Sequence, residues 1–160
     1  MALSDKVRVG PRHDGQEGLF AADAIAEGEV LLTYDGPVLD HATRLSIQVD
    51  DHVHVEGTAE SNAFLNHACD ASAYVDWEAL CLRARRPLAP GDEITCNYFT
   101  TDYDLHSPFV CNCGAPECMG EIRGFKYLPA AGQLALEPFL PPPFLKRKMK
   151  RGAHGPTDNP

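Results

Sequence analysis

The stretch CNCGAPECMG, residues 111–120, holds three cysteines in the spacing C-x-C-x4-C. Thiolates this close in sequence suit a soft metal ion, but a structural zinc site almost always takes four protein ligands, so the stretch is one donor short. Cys111 and Cys113 flank a single residue, and bridging them to each other would be strained. The missing ligand decides which distant segment is stapled to this one. Three cysteines lie outside it: Cys69, Cys81 and Cys96. Cys81, in "ALCLRA", sits in an apolar strand-like run and reads as a small buried hydrophobe.

The bulk composition narrows the setting. A chain of 160 residues, 44% hydrophobic and 23% charged, is long enough for one domain with its own core. No apolar run approaches the length needed to span a bilayer, and "MALSDKVRVG" at the start has no apolar signal core, so the chain reads as intracellular. There, six cysteines suggest metal binding or chemistry before disulfides. Fourteen basic residues against 23 acidic ones, a net charge of −9, argue against direct nucleic-acid binding by a basic surface of the folded domain. An acidic surface does suit a cationic partner such as a lysine-rich tail.

Most of the first hundred residues read as short strands broken by turns. "KVRVG" alternates, "GLFAA" is a short apolar run, and "EVLLTYDG" opens after Gly28 and closes at Asp35-Gly36. "LSIQVDDHVHVEG" reads as two strands about Asp50-Asp51, "AYVDWEALCLRA" as a hairpin and "DEITCNYF" as a strand after Pro90-Gly91. β-branched residues and turn punctuation together predict a mostly β domain. Helical periodicity is scarce: "ATRL" and "AESNAFLNH" suit single turns and "AGQLALEPF" a short helix. "ADAIAEGEVLLTY" and "RRPLAPGDEITCNY" share a strand–turn–strand pattern, which predicts two β units built alike. His52 and His54 are two apart, so on a strand they would share a face and could hold a metal; polar edge-strand positions are the plainer reading. Residues 129–145, proline-rich and partly apolar, are expected to pack on the domain or stay extended, and 146–160 to form a disordered basic tail.

Four stretches carry chemistry-bearing residues: "GQEGLFA" (15–21), "FLNHACD" (64–70), "GDEITCNY" (91–98) and "CNCGAPEC" (111–118). Singly they are weak. In this order and at these separations the sequence resembles the SET-domain protein lysine methyltransferases with their cysteine-rich post-SET segment, across roughly residues 6–128. That family shows a "GxGLFA"-like strand, then "RFxNHxCxPN", "GEELTYDY" and "CxCxxxxC". The resemblance implies a SET domain over 6–110, built of small curved β-sheets around a pseudoknot-like segment. A zinc-bound post-SET segment over 111–128 would follow.

It also implies a site. The fourth zinc ligand in such proteins is the cysteine just after Asn-His, here Cys69, beside Cys111, Cys113 and Cys118. Its loop position also makes Cys69 a better-placed donor than Cys81 or Cys96. The implied cofactor is S-adenosylmethionine. Gly18, Leu19 and Phe20 match backbone that holds its methionine portion, Asn66 matches a cofactor-binding amide, and His67 matches a backbone contact to the adenine edge. Ile122 would cover the adenine ring. Tyr98 matches the catalytic tyrosine, expected to orient a lysine amine and the methyl group rather than act as a strong base. Cys96 stands where the family usually has an aromatic that governs how many methyl groups are added. Further departures are Gln16 for the first glycine, Ala63 for an arginine and Ala71-Ser72 for Pro-Asn. The implied reaction is methylation of an accessible lysine in a protein. A small-molecule amine acceptor and a silent zinc-stabilised binding module are the alternatives.

Overall fold

The computed structural model describes residues 3–57 and 62–150. Strands come first in chain order: β1 (Val7–Pro11), β2 (Glu17–Ala21), β3 (Val30–Thr33), β4 (Val38–Leu39), β5 (Ser46–Asp50) and β6 (Val53–Glu56). After a 3-10 turn at Asn62–Phe64 come β7 (Asn66–His67), β8 (Ala73–Asp76), β9 (Cys81–Ala84) and β10 (Glu93–Cys96). A second 3-10 turn, Tyr98–Thr100, precedes β11 (Phe109–Val110) and β12 (Glu121–Ile122). The predicted β-rich class is the one observed, and the strand pair about Asp50-Asp51 and the hairpin at 73–84 form as the turn residues indicate.

The strands make small sheets of order β1-β2-β10-β7, β3-β9-β8, β4-β6-β5 and β11-β12. Burial alternates along β8, with Ala73 and Val75 inward and Tyr74 and Asp76 outward, as a sheet with one covered face requires. The two sequence-similar units meet directly. Ile25 and Leu88 exchange both backbone hydrogen bonds, at 3.0 and 2.9 Å. Each is followed by the same turn, in which an acidic side chain caps a backbone amide: Glu29 on Ala26 and Asp92 on Ala89. Gly28 and Gly91 hold matching turn positions at φ of 81° and 91°, where a side chain would be strained.

The pairing that builds the site is parallel. β10 lies beside β7 with Thr95 opposite Asn66 and Cys96 opposite His67, while its other edge pairs antiparallel with β2. One core fills the space between the sheets, with Leu19, Leu32, Leu82 and Ile94 fully enclosed. A second core joins Cys69 and Phe99 to Ile122, Phe125, Leu128, Leu136, Phe144 and Leu145. Its C-terminal part consists of α1 (Ala130–Leu134) and α2 (Pro143–Arg147), so residues 129–145 pack rather than run extended. Each large apolar side chain buried there contributes roughly 1.5–3 kcal/mol.

Two expectations need correction. The basic segment does not leave the domain at residue 146. Phe144 and Leu145 anchor α2, Arg147 reaches Asp50 at 3.3 Å and Lys148 pairs with Asp51. Lys150 N–H donates to Gln133 Oε1 at 2.6 Å, and residues 151–160 and 58–61, the latter holding the first three of the predicted "AESNAFLNH" turn, lie outside the described residues. His52 and His54 are not polar edge-strand positions. His52 is exposed in the turn before β6, His54 is buried on the central strand of its sheet, and the described residues contain one potential metal group, elsewhere.

Candidate active site and metal centre

Cys69, Cys111, Cys113 and Cys118 come together, their sulfur atoms all within 4.8 Å of one another. Cys69 follows β7, and the other three lie on the connection from β11 to β12. Cys69 and Cys111 sulfurs are 4.0 Å apart, far beyond a disulfide bond of about 2.05 Å. Four thiolates around a tetrahedral metal, each at about 2.3 Å, stand about 3.8 Å from one another, so the cluster fits a metal ion. Burial pushes the Cys69 and Cys111 thiols above their ordinary range. A coordinated divalent cation reverses that preference and deprotonates the ligand.

The cluster is tied to the neighbouring strands through His67. Its Nδ1 accepts the backbone N–H of Tyr98 at 3.0 Å, so Nε2 carries the ring hydrogen and donates to Cys69 Sγ at 3.3 Å. Desolvation lowers the imidazole pKa to about 4, which keeps it neutral. Asn66, one residue earlier, donates from Nδ2 to Glu17 O at 2.9 Å and to Glu93 Oε1 at 3.4 Å, which ties β7 to β2 and β10. Gly18 lies between: a Cβ there would come within 2.9 Å of Glu93 Oε1 and 3.1 Å of the Arg12 side chain. Arg12 Nε holds Glu93 at 2.8 Å across this position, and its Nη1 holds Asp14 at 2.6 Å.

A cleft of about 330 Å³ opens beside these residues. Asn66, His67, Cys96, Tyr98 and Cys111 all line it. Gly18, Leu19 and Phe20 lie on β2 and do not line it, and Ile122 has no exposed surface because it is enclosed in the second core. The Tyr98 hydroxyl donates to Leu65 O, which leaves its lone pairs as its remaining hydrogen-bonding capacity. Burial raises the phenol pKa further, so Tyr98 is a neutral group and no base at ordinary pH. Phe99 and Tyr103 belong to the second core and do not line the cleft, which Cys96 does line although it is fully buried. Sequence reasoning missed Tyr34 and Asp102, which line the same cleft at 4% and 3% exposure. Tyr34 Oη and Asp102 Oδ1 have no hydrogen-bond partner among the described residues. Nothing local in "LLTYDG" or "FTTDYD" marks them, since the signal is burial without a partner.

The SET domain family model matches residues 16–99, more than half of the chain. The chain belongs to the SET domain family. Among the relatives, a methyltransferase named flvH from Aspergillus flavus is 33% identical over 91 residues, 56% of this chain and 51% of its own length. A histone-lysine N-methyltransferase, H3 lysine-36 specific, from Aspergillus oryzae is 28% identical over 66% of this chain and 12% of its own. One described as H3 lysine-4 specific, from Saccharomyces cerevisiae, is 27% identical over 66% of this chain and 12% of its own. The chain thus spans about half or less of the length of these relatives. A crystal structure of KRYPTONITE in complex with mCHG DNA and SAH superposes with a TM-score of 0.61 at 20% identity, over 76% of this chain and 30% of that one. The SET fold of the present chain is the shared feature.

Proposed function

We propose that this SET domain transfers a methyl group from S-adenosylmethionine to the ε-amine of a lysine in a protein. One observation carries the reading. Tyr98, its hydrogen committed to Leu65 O, faces a cleft shared with Asn66 and His67, inside a chain whose family includes histone-lysine methyltransferases. Asn66 and the backbone of His67 would hold the cofactor, which when bound supplies a methyl group on a sulfonium centre, and the strand of Gly18, Leu19 and Phe20 would back Asn66 from outside the cleft. Tyr98 accepts a hydrogen bond from the substrate amine and aligns it, while burial excludes water. Zinc is the ion that fits the four cysteines, and it would lock residues 111–128 against β7 as a post-SET segment following a SET domain of 6–110. Action on histones would place the chain in a nucleus, and no helix among the described residues is long and apolar enough to cross a membrane.

A second reading, a small-molecule amine as acceptor, is favoured by the Aspergillus flavus relative, whose name specifies a methyltransferase and no histone. Methyl-labelled cofactor offered with core histones, lysine-bearing peptides and free small amines separates the two. Label on protein lysine supports the proposal, and label confined to a free amine supports the second reading. No label anywhere, together with no calorimetric binding of S-adenosylhomocysteine, refutes both and leaves a silent module.

A further inference from the structure

An alkylammonium has no lone pair with which to attack a methyl group, and its reference pKa is about 10.4. The proton must therefore leave the amine before transfer, to a side chain or to water. Tyr98 is unsuited, because its hydroxyl hydrogen is held by Leu65 O and burial keeps the phenol neutral. His67 is unsuited, because both ring nitrogens are engaged, one by Tyr98 N–H and the other by Cys69. We propose that Asp102 receives the substrate amine in the cleft and accepts its proton through Oδ1.

The geometry supports this assignment. Asp102 follows the Tyr98–Thr100 turn, and Phe125 N–H fixes its backbone carbonyl at 3.0 Å. Thr101 Oγ1 donates to Oδ2 at 2.9 Å, which orients the carboxyl group. Oδ1 is buried and lacks a partner among the described residues, as does Tyr34 Oη, and both residues line the cleft. Leaving a buried carboxyl oxygen unpaired destabilises a fold, and an amine entering the cleft supplies the missing donor. The titratable groups facing Asp102 are Tyr34, Cys96 and Tyr98, and its charge helps to raise the pKa of all three. Burial lifts Asp102 itself to about 7 against the opposing Thr101 hydrogen bond.

In the proton step one N–H bond of the ammonium breaks and its electron pair stays on nitrogen. An O–H bond forms at Oδ1, so an ion pair becomes a neutral pair, which a dry site favours. The carboxyl later releases that proton to solvent.

The proposal rests on the amine-methylation reading, and its test separates the two. Protein labelled with 13C at aspartate carboxyls is titrated by NMR with S-adenosylhomocysteine present, the Asp102 signal being the one lost in Asp102→Asn. Its midpoint should lie near 7 and rise by a unit or more with n-butylamine, because the neutral pair keeps the carboxyl protonated, but not with n-butanol. Label transfer by Asp102→Asn at pH 7 should fall at least tenfold and recover as pH approaches the amine's own pKa, with S-adenosylhomocysteine binding unchanged. A midpoint indifferent to n-butylamine, or a variant with the wild-type pH profile, overturns the role of Asp102 alone. Wild type that shows the n-butylamine shift but methylates no amine overturns the methyl-transfer reading and the proton-acceptor role with it.

Discussion

Replacing Cys69 with alanine should open the C-terminal part of the site while the main sheets stay folded. The sulfur accepts hydrogen bonds from Met119 N–H and His67 Nε2, each at 3.3 Å, and it is one of the four clustered thiols. Hydrogen bonds to a charged acceptor contribute roughly 1.5–3 kcal/mol each, and sulfur is a soft acceptor, so the lower figure applies to each. The pair then amounts to about 3 kcal/mol before any loss of metal affinity. β11 and β12 share only the pairings Phe109 with Ile122 and Val110 with Glu121, too short a ribbon to persist alone. A domain of this size is stable by on the order of 5–15 kcal/mol, so the loss is local rather than global. Amide hydrogen exchange over 109–128 should accelerate by roughly a hundredfold, since about 1.4 kcal/mol is a factor of ten. Exchange in β8 and β9 should not change, and elemental analysis should show the bound metal lost. A variant that keeps its metal and its protection over 109–128 would refute the coupling of Cys69 to that segment.

Three further outcomes are expected. Tyr98→Phe should slow methyl transfer by about 10²-fold, the scale on which misplacing reactants acts, while calorimetric binding of S-adenosylhomocysteine stays within about twofold. Wild type should add two or three methyl groups, because cysteine is smaller than the aromatic usual there and brings no hydroxyl to hold a water beside the amine. Cys96→Tyr should shift the product to one methyl by mass spectrometry, with about 1–3 kcal/mol of overpacking cost at this fully buried position. Asp102→Asn should stabilise the protein at pH 8 and leave it unchanged near pH 4, measured by denaturant midpoints. The sign follows from a folded pKa of about 7 against an unfolded value of about 3.9. The native state binds the extra proton inside that window, so wild-type stability falls as pH rises through it and levels off above. The gain on substitution is on the order of 4 kcal/mol at most.

Strands bounded by glycine and paired acids, such as those about Asp50-Asp51 and after Pro90-Gly91, were legible because turn chemistry is local. Three cysteines of the cluster were legible from their spacing, the fourth through the family resemblance, and Cys69 lies beside the partners that resemblance implied. The helices after residue 129 were harder to read, since Phe144 and Leu145 gain their partners only from the second core. The basic run from Lys146 looked solvated because the acids that hold it, Asp50 and Asp51, are almost a hundred residues away. Tyr34 and Asp102 could not be read at all. An orphaned oxygen is a property of what surrounds it, and that exists only once β3, β10 and the turn after it are assembled.

The contact between Ile25 and Leu88 gives the molecule a local two-fold relation, and each related unit ends in a tyrosine. The first delivers Tyr34 and the second Tyr98, so opposite copies of one β unit furnish two aromatic walls of a single cleft. The copies are offset: the second runs one residue longer from its turn glycine to its tyrosine, and β3 carries a register shift after Val30. That offset breaks the equivalence of the two hydroxyls. One is tethered to Leu65 O and the other has no partner among the described residues. A repeated scaffold thereby yields an asymmetric pocket, with a direction along which a substrate can be told head from tail.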